Sequence, residues 1–470
     1  MKKEIAFYSA GNIVNRGIMF LSFFVFLRYL DKTNIAALDV FGTFTAILST
    51  VLIFGLDSAL FRFYNETGDE NEKDRLLAGF TLIRFLPQIV ICGALILFSP
   101  LFHRTLFPEA NFRSALEAAL AGLPFYLLFN HVLDVFRLRF RADLFSLFSV
   151  VNAFIYFFFA VIFGVVLDKG VGGVFIGMLL ANLISSLWGL KVSKIKSVRP
   201  SFGGKFMEIV RYSLPVVASS FLFYAVNGAD RWFVIHMAGA AESADYALAR
   251  KIAAGPFFLF TAFQMAFTPA AHKAFGTEEY IPMIRSFSRE FAVFFAVVCA
   301  FTGGISGVVV SFISGGESYS GAAGPVPVIL AGFMFFCLYF FFSIEASVRK
   351  KTVYMLYSLS AGTIVNLLCN FYFVPKTGAS GAAAAYLAAM AVSSVCLYAF
   401  IRPFASDFPI LLFAASVCCV IVPGFLVKFA GGSLLPVSFS ILISIIYSIY
   451  IIRKPRSLAL MKRILNVFKR

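Results

Sequence analysis

The chain has 470 residues, of which 60% are hydrophobic and only 14% charged, and it carries a net charge of +16. A soluble domain of this size needs far more polar surface, which excludes an ordinary globular enzyme or binding module. The basic excess sits in short gaps between apolar blocks, as on the cytoplasmic side of inserted proteins, so it does not call for nucleic acid as a partner.

The apolar blocks reach or exceed about 20 residues, the length of a helix that crosses hydrocarbon. A β-barrel would instead alternate in segments of about ten. Met1, Lys2 and Lys3 open a first block that Asn12, Asn15 and Arg16 interrupt and that no small-x-small cleavage site closes, so it is read as an uncleaved span over 5–28. Spans 2 to 6 are expected at 35–62, 76–101, 114–140, 142–167 and 170–193. A basic break containing Pro and Gly follows at 194–205. Spans 7 to 12 are expected at 206–236, 241–272, 285–313, 320–347, 352–375 and 378–401, and spans 13 and 14 at 407–428 and 434–453. In the tail, Leu458, Leu460, Met461, Ile464, Leu465 and Phe468 alternate with Lys462, Arg463, Lys469 and Arg470, a pattern for an amphipathic helix on the inner leaflet.

The expected fold class is all-α integral membrane with about 14 transmembrane helices. The expected divisions are an N-lobe at 1–193, a cytoplasmic linker at 194–205, a C-lobe at 206–401, two extra helices within 402–453 and a basic cytoplasmic tail at 454–470. With both ends inside, the inner side holds 27 Lys and Arg and the outer side 7, which favours an even number of spans. The two six-span halves are weakly similar. Tyr8-Ser9 matches Tyr212-Ser213, Asp39 matches Asp245, Arg141 matches Arg349, and Gly170, Gly173 and Gly177 match Gly378, Gly381 and Ala385 at an offset of 208. Halves of six spans insert in the same orientation, so a pseudo-twofold axis along the membrane normal is expected, with a site between the halves near the midplane.

Polar residues inside spans are costly and mark lumens or partners. Span 1 carries Asn12, Asn15 and Arg16, with Arg16 about 16 Å into the span. Span 2 carries Asp39 and Asp57 on one face, and span 3 carries Arg84. Span 4 carries Asn130, Asp134 and Arg137; span 7 carries Asn227, Asp230 and Arg231; span 8 carries Asp245, Arg250 and Lys251. Asn12, Asn15, Arg16, Arg84, Asn227, Arg231, Arg250 and Lys251 are the expected substrate-binding residues. Asp39, Asp57, Asp134, Asp230 and Asp245 are expected ion-coupling or structural acids. Of the four histidines only His131 lies well inside a span, and all seven cysteines fall in apolar blocks. No nucleotide loop, metal constellation or nucleophile–base pair is visible, so no cofactor, metal or catalytic residue is expected.

The stretch from Asn366 through Asn370, Pro375, Gly378 and Gly381 to Tyr386 resembles the span 11–12 signature of the multidrug/oligosaccharidyl-lipid/polysaccharide (MOP) exporter superfamily. Within it the chain is most similar to polysaccharide-type (Wzx-like) flippases. Phe263–Pro269, Asp230-Arg231 and the basic turn Arg137–Arg141 support the resemblance. Asn366 and Asn370 share a helix face, Pro375 would end the helix, and Gly378 and Gly381 would shape a tight turn, a structural motif rather than a binding one. The resemblance implies a two-lobed, MATE-like transporter that alternates between inward- and outward-open states, with spans 13 and 14 added to a twelve-span core.

The expected function is movement of an undecaprenyl-diphosphate-linked oligosaccharide across the bacterial cytoplasmic membrane for O-antigen, capsule or exopolysaccharide, with cations holding the diphosphate. A peptidoglycan-precursor flippase and a multidrug exporter are alternatives within the superfamily. Drug exporters commonly carry an acid in span 1 where this chain carries Arg16. A membrane polysaccharide polymerase or ligase is the alternative of a different class, but it would need a larger outer loop. The expected partners are the lipid-linked sugar, membrane lipids, and polymerase or chain-length proteins.

Overall fold

In hydrocarbon each backbone amide must find its partner within the protein, and long apolar runs meet that demand as helices. A computed structural model of the chain describes residues 2–108, 112–195, 200–202, 204–314 and 317–402, and no strand occurs among them. The helices are α1 (Lys2–Tyr29), α2 (Lys32–Ile53), α3 (Leu56–Glu66), α4 (Glu70–Leu97), α5 (Ser99–Leu106), α6 (Arg113–Leu138), α7 (Ala142–Val161), α8 (Gly170–Ser193), α9 (Phe206–Met237), α10 (Gly239–Ala274), α11 (Tyr280–Gly304), α12 (Ser306–Ser314), α13 (Pro325–Val348) and α14 (Val353–Ile401). Spans 13 and 14 and the tail lie outside the described residues.

The chain is a multi-pass membrane protein. Among the described residues seven helices are long and apolar enough to cross a membrane, or eight if α11 and α12, bent by 52°, form one span. Each of the twelve spans expected before residue 402 falls on a helix, on a helix pair such as α2 and α3, or on one arm of α14. Pro375 does not end its span. Helical backbone runs past it and breaks at Gly378, where φ is 54° and ψ is −129°. Proline's fixed φ is compatible with a helix, whereas positive φ favours glycine.

The chain divides into two compact units, residues 1–228 and 229–470. In the first unit α6 is buried along almost its whole length. A side chain at Gly122 would meet the Leu179 backbone at 3.3 Å, and one at Gly177 would collide with the backbone of Phe159 and Ala160. Those glycines let α8 approach α6 and α7 closely, which is how helices gain contact where lipid supplies no hydrophobic drive. In the second unit α13 is the buried helix. Phe260 of α10 meets Phe291 and Phe295 of α11 and Phe336 and Phe340 of α13 in tilted and edge-on pairs, and Phe291 stacks on Phe295.

One local arrangement occurs in both units. In the first, Gly170 has φ 55°, and Asn34 in the first turn of α2 accepts the backbone N–H of Val171 through Oδ1 at 2.8 Å. In the second, Gly378 has φ 54°, and Glu242 in the first turn of α10 accepts the backbone N–H of Ala379 through Oε2 at 2.9 Å. The three positions are related by the offset of 208 that the glycine pattern shows. In each case a side chain from a neighbouring helix satisfies an orphan N–H at a helix start.

Candidate functional site: polar clusters within the helices

Asn15 of α1 donates from Nδ2 to the carbonyl of Ser149 on α7 at 2.7 Å. A side chain at Gly11 would touch Ser146 at 2.7 Å, so α1 lies close against α7 along this edge. That contact orients α1, and Arg16, the next residue after Asn15, is exposed. Asn12 lies on α1, but its side chain is outside the described ones. Asp39 and Asp57 are half-buried.

A polar cluster in the first unit joins α4 to α6. Arg84 is 1% exposed and His131 fully buried. Arg84 Nη1 donates to Asp134 Oδ2 at 2.9 Å and approaches His131 Nδ1 at 3.4 Å. His131 Nε2 meets Thr81 Oγ1 at 2.8 Å. Asp134 also pairs with Arg137 Nη1 at 3.5 Å. One turn along α4, Gln88 donates from Nε2 to the carbonyl of Leu52 at 2.6 Å. Arg84, read from the sequence as a substrate ligand, is therefore enclosed by its own unit in this conformation. Thr81 and Gln88 are additions to the sequence reading. With Arg84 they are spaced 0, 3 and 7 along α4, a stripe that the same helical periodicity reveals.

In the second unit Asp230 has no exposed surface. Its carboxylate takes the hydroxyl proton of Tyr246 in a hydrogen bond, and Arg231 Nη1 lies 3.2 Å from its other oxygen. The Arg250 guanidinium stands 4.6 Å from the Tyr386 ring centre and 5.7 Å from that of Phe333, within cation–π reach. Arg231 and Tyr246 thus hold Asp230, and Arg250 lies over Tyr386; neither tyrosine is conspicuous in the sequence. Lys251 is half-buried beside Arg250, and Asp245 is buried against Gly321. Asn227 bonds along its own helix to the Phe223 carbonyl at 2.8 Å.

The signature asparagines are wholly buried. Asn370 donates from Nδ2 to the carbonyl of Asn366 at 2.9 Å and lies 3.0 Å from its Oδ1, so the pair bonds along α14. A side chain at Gly381 would meet the Phe373 carbonyl at 2.5 Å, which explains the close approach of the two arms of α14. A cavity of about 120 Å³ in the first unit, lined by Gly42, Thr45, Gly122, Tyr126 and Phe175 among others, is smaller than the roughly 300–1,000 Å³ of ligand pockets.

A family model described as "Polysaccharide biosynthesis protein" matches residues 1–275, more than half of the chain. The chain belongs to the polysaccharide biosynthesis protein family. No curated protein matches the sequence of this family member. Among solved structures, it is similar to "Lipid II flippase MurJ, inward closed conformation" with a TM-score of 0.76 at 16% identity, over 95% of this chain and 98% of that one. An inward-facing multidrug resistance MATE family transporter of the MOP superfamily matches with a TM-score of 0.69 at 16% identity, over 85% of this chain and 94% of that one. A MOP superfamily transporter from Pyrococcus furiosus, described as having a binding pocket of reverse polarity, matches with a TM-score of 0.62 at 16% identity, over 89% of this chain and 96% of that one. The fold of this polysaccharide biosynthesis protein is therefore that of the MOP superfamily.

Proposed function

We propose that the chain flips an undecaprenyl-diphosphate-linked oligosaccharide from the inner to the outer leaflet of a bacterial cytoplasmic membrane, for O-antigen, capsule or exopolysaccharide. Membership of the polysaccharide biosynthesis family, on a MOP fold, is the observation that carries this reading. The charge pattern supports it. Arg16, an exposed cation well inside α1, and Arg231 paired with Asp230 suit a diphosphate better than a cationic drug. In this reading the two lobes are 1–193 and 206–401, both termini are cytoplasmic, and the two lobes alternate in exposing a site that holds the diphosphate while the lipid tail stays in the bilayer. With the interior negative, outward movement of each diphosphate charge gains about 2.3 kcal/mol per 100 mV.

A second reading, movement of a peptidoglycan lipid precursor, draws support from the MurJ likeness. Deleting the gene separates the readings. Accumulation of a lipid-linked polymer unit on the inner leaflet with normal cell-wall synthesis is the expected result. Accumulation of the peptidoglycan precursor would favour the second reading. Accumulation on the outer leaflet would indicate a polymerase or ligase and overturn both.

A further inference from the structure

The α4–α6 cluster fixes the protonation state of its histidine by hydrogen-bond logic alone. Thr81 has one hydroxyl proton, and its Oγ1 lies 2.8 Å from the carbonyl of Leu77, which accepts that proton. Toward His131 Nε2, also 2.8 Å away, Thr81 can then only accept. Nε2 therefore carries a hydrogen. At the other side of the ring stands Arg84 Nη1, which is only ever a donor. Nδ1, 3.4 Å from it, must present its lone pair. The ring is neutral and in one tautomer. The two hydrogens of Arg84 Nη1 are divided between His131 and Asp134.

A second proton could enter this ring only at Nδ1, where it would face the guanidinium. Proton binding and the Arg84–Asp134 pair therefore exclude one another. The acceptor released by Arg84 is also at hand, because Asp134 lies one turn from His131 on the same helix, where i and i+3 side chains meet. Arg84 Nε and Nη2 and Gln88 Oε1, all buried, have no hydrogen-bond partner among the described residues. The cation is thus held to α6 through a single nitrogen, a contact that one competing charge can undo.

The other charges near His131 leave this competition in place. Besides Arg84, Arg137 lies on its own helix and already contacts Asp134. Asp57 of α3 acts on Asp134 through space. Among the other helices packed on α6, α2 carries Lys32 and Asp39, α5 carries His103 and Arg104, α7 carries only Asp143 in its first turn, and α8 carries only Lys191 in its last.

We propose that His131, Arg84 and Asp134 form a proton-binding site within the first unit, in which a proton taken from water onto His131 Nδ1 displaces Arg84 from Asp134 and loosens α4 against α6, the two helices staying joined by the Asp74–Arg139 pair and by the packing of Leu76, Leu77 and Phe80 on Val135 and Leu138. The ion pair between helices is exchanged for a His131–Asp134 pair within α6. The use of this exchange to drive transport rests on the flippase reading; the proton binding itself does not.

The test needs no substrate. Spin labels at Asn71, in the first turn of α4, and at Phe140, just beyond α6, both exposed, report the separation of the two helix ends in the full chain in lipid nanodiscs, with the native cysteines replaced. Acidification from about pH 8 to about pH 4, which continues past the ordinary imidazole range because the incoming proton must displace a guanidinium from a buried ring, is expected to populate a second distance. His131→Gln, which keeps a donor and an acceptor but takes no proton, is expected to lose that component. An identical distance distribution at both pH values in the parent, or a full acid component in His131→Gln, overturns the proposal. If His131→Gln does not fold, Thr81→Val decides. It removes the acceptor that fixes the tautomer, so a shifted midpoint of the pH transition supports the site and an unmoved one overturns it.

Discussion

Removing both partners of the Arg84–Asp134 pair should cost less than removing one. The pair spans 2.9 Å, with side chains 1% and 10% exposed. Truncating one member of a buried pair costs about 3–5 kcal/mol because a charge is left behind in a medium that solvates it poorly. The two single substitutions are unequal here. Asp134→Leu leaves the Arg84 guanidinium with the His131 ring alone and should cost the full ~3–5 kcal/mol. Arg84→Met leaves Asp134 its second partner, Arg137 at 3.5 Å, and should cost about 1–3 kcal/mol. The double variant Arg84→Met/Asp134→Leu fills the same space with apolar groups and should fall within about 1 kcal/mol of the parent, since apolar replacement of a buried pair is often neutral. Reversible unfolding in mixed micelles measures all three. Additive losses, with the double variant the least stable, would refute the reasoning.

Three other outcomes follow from particular contacts. Glu242→Ala should lose about 1 kcal/mol at the Ala379 helix start while Glu242→Gln, which keeps an acceptor, retains most of it; equal losses in the same unfolding assay would show that Glu242 acts otherwise. Gly378→Ala should destabilise the chain more than Gly93→Ala, because Gly378 sits at φ 54° and Gly93 has open space around it, and equal melting temperatures would contradict this. In a cysteine-free background, a cysteine at Ser320 should react with an impermeant thiol reagent from outside and one at Gly204 only after permeabilisation. The reverse pattern would invert the topology.

The helices up to residue 402 are legible because long apolar blocks are punctuated by basic residues, and seven or eight of those described are long and apolar enough to cross hydrocarbon. The internal repeat is legible in scattered matches such as Tyr8-Ser9 with Tyr212-Ser213, and most regularly in its glycines. Gly170 and Gly378 match because positive φ favours the same residue in both, whereas Asn34 and Glu242 perform the same capping with different side chains and leave no trace in a residue-by-residue comparison. Arg84 and Asp134 each stood out as polar residues in apolar helices. Their pairing did not, since 50 residues separate them and only the packing of α4 on α6 brings them together. Gln88 and Thr81 are inconspicuous because uncharged residues stand out less in an apolar helix, although their spacing from Arg84 places them on its face. The Asp230 cluster shows the same limit, since tyrosines such as Tyr246 and Tyr386 read as ordinary membrane aromatics until their hydroxyl or ring meets a charge.

Movement of a fluorescent polyprenyl-diphosphate oligosaccharide between the leaflets of proteoliposomes holding only this chain tests the central claim most directly. The account predicts protein-dependent transfer of the lipid-linked sugar, quenched from outside as it arrives, which Arg16→Ala abolishes, Arg16→Lys retains in part and Arg16→Glu lacks at equal protein content. Transfer no faster than in empty vesicles, with folded protein present, would contradict the flippase reading, and full transfer by Arg16→Ala would remove that residue from the site.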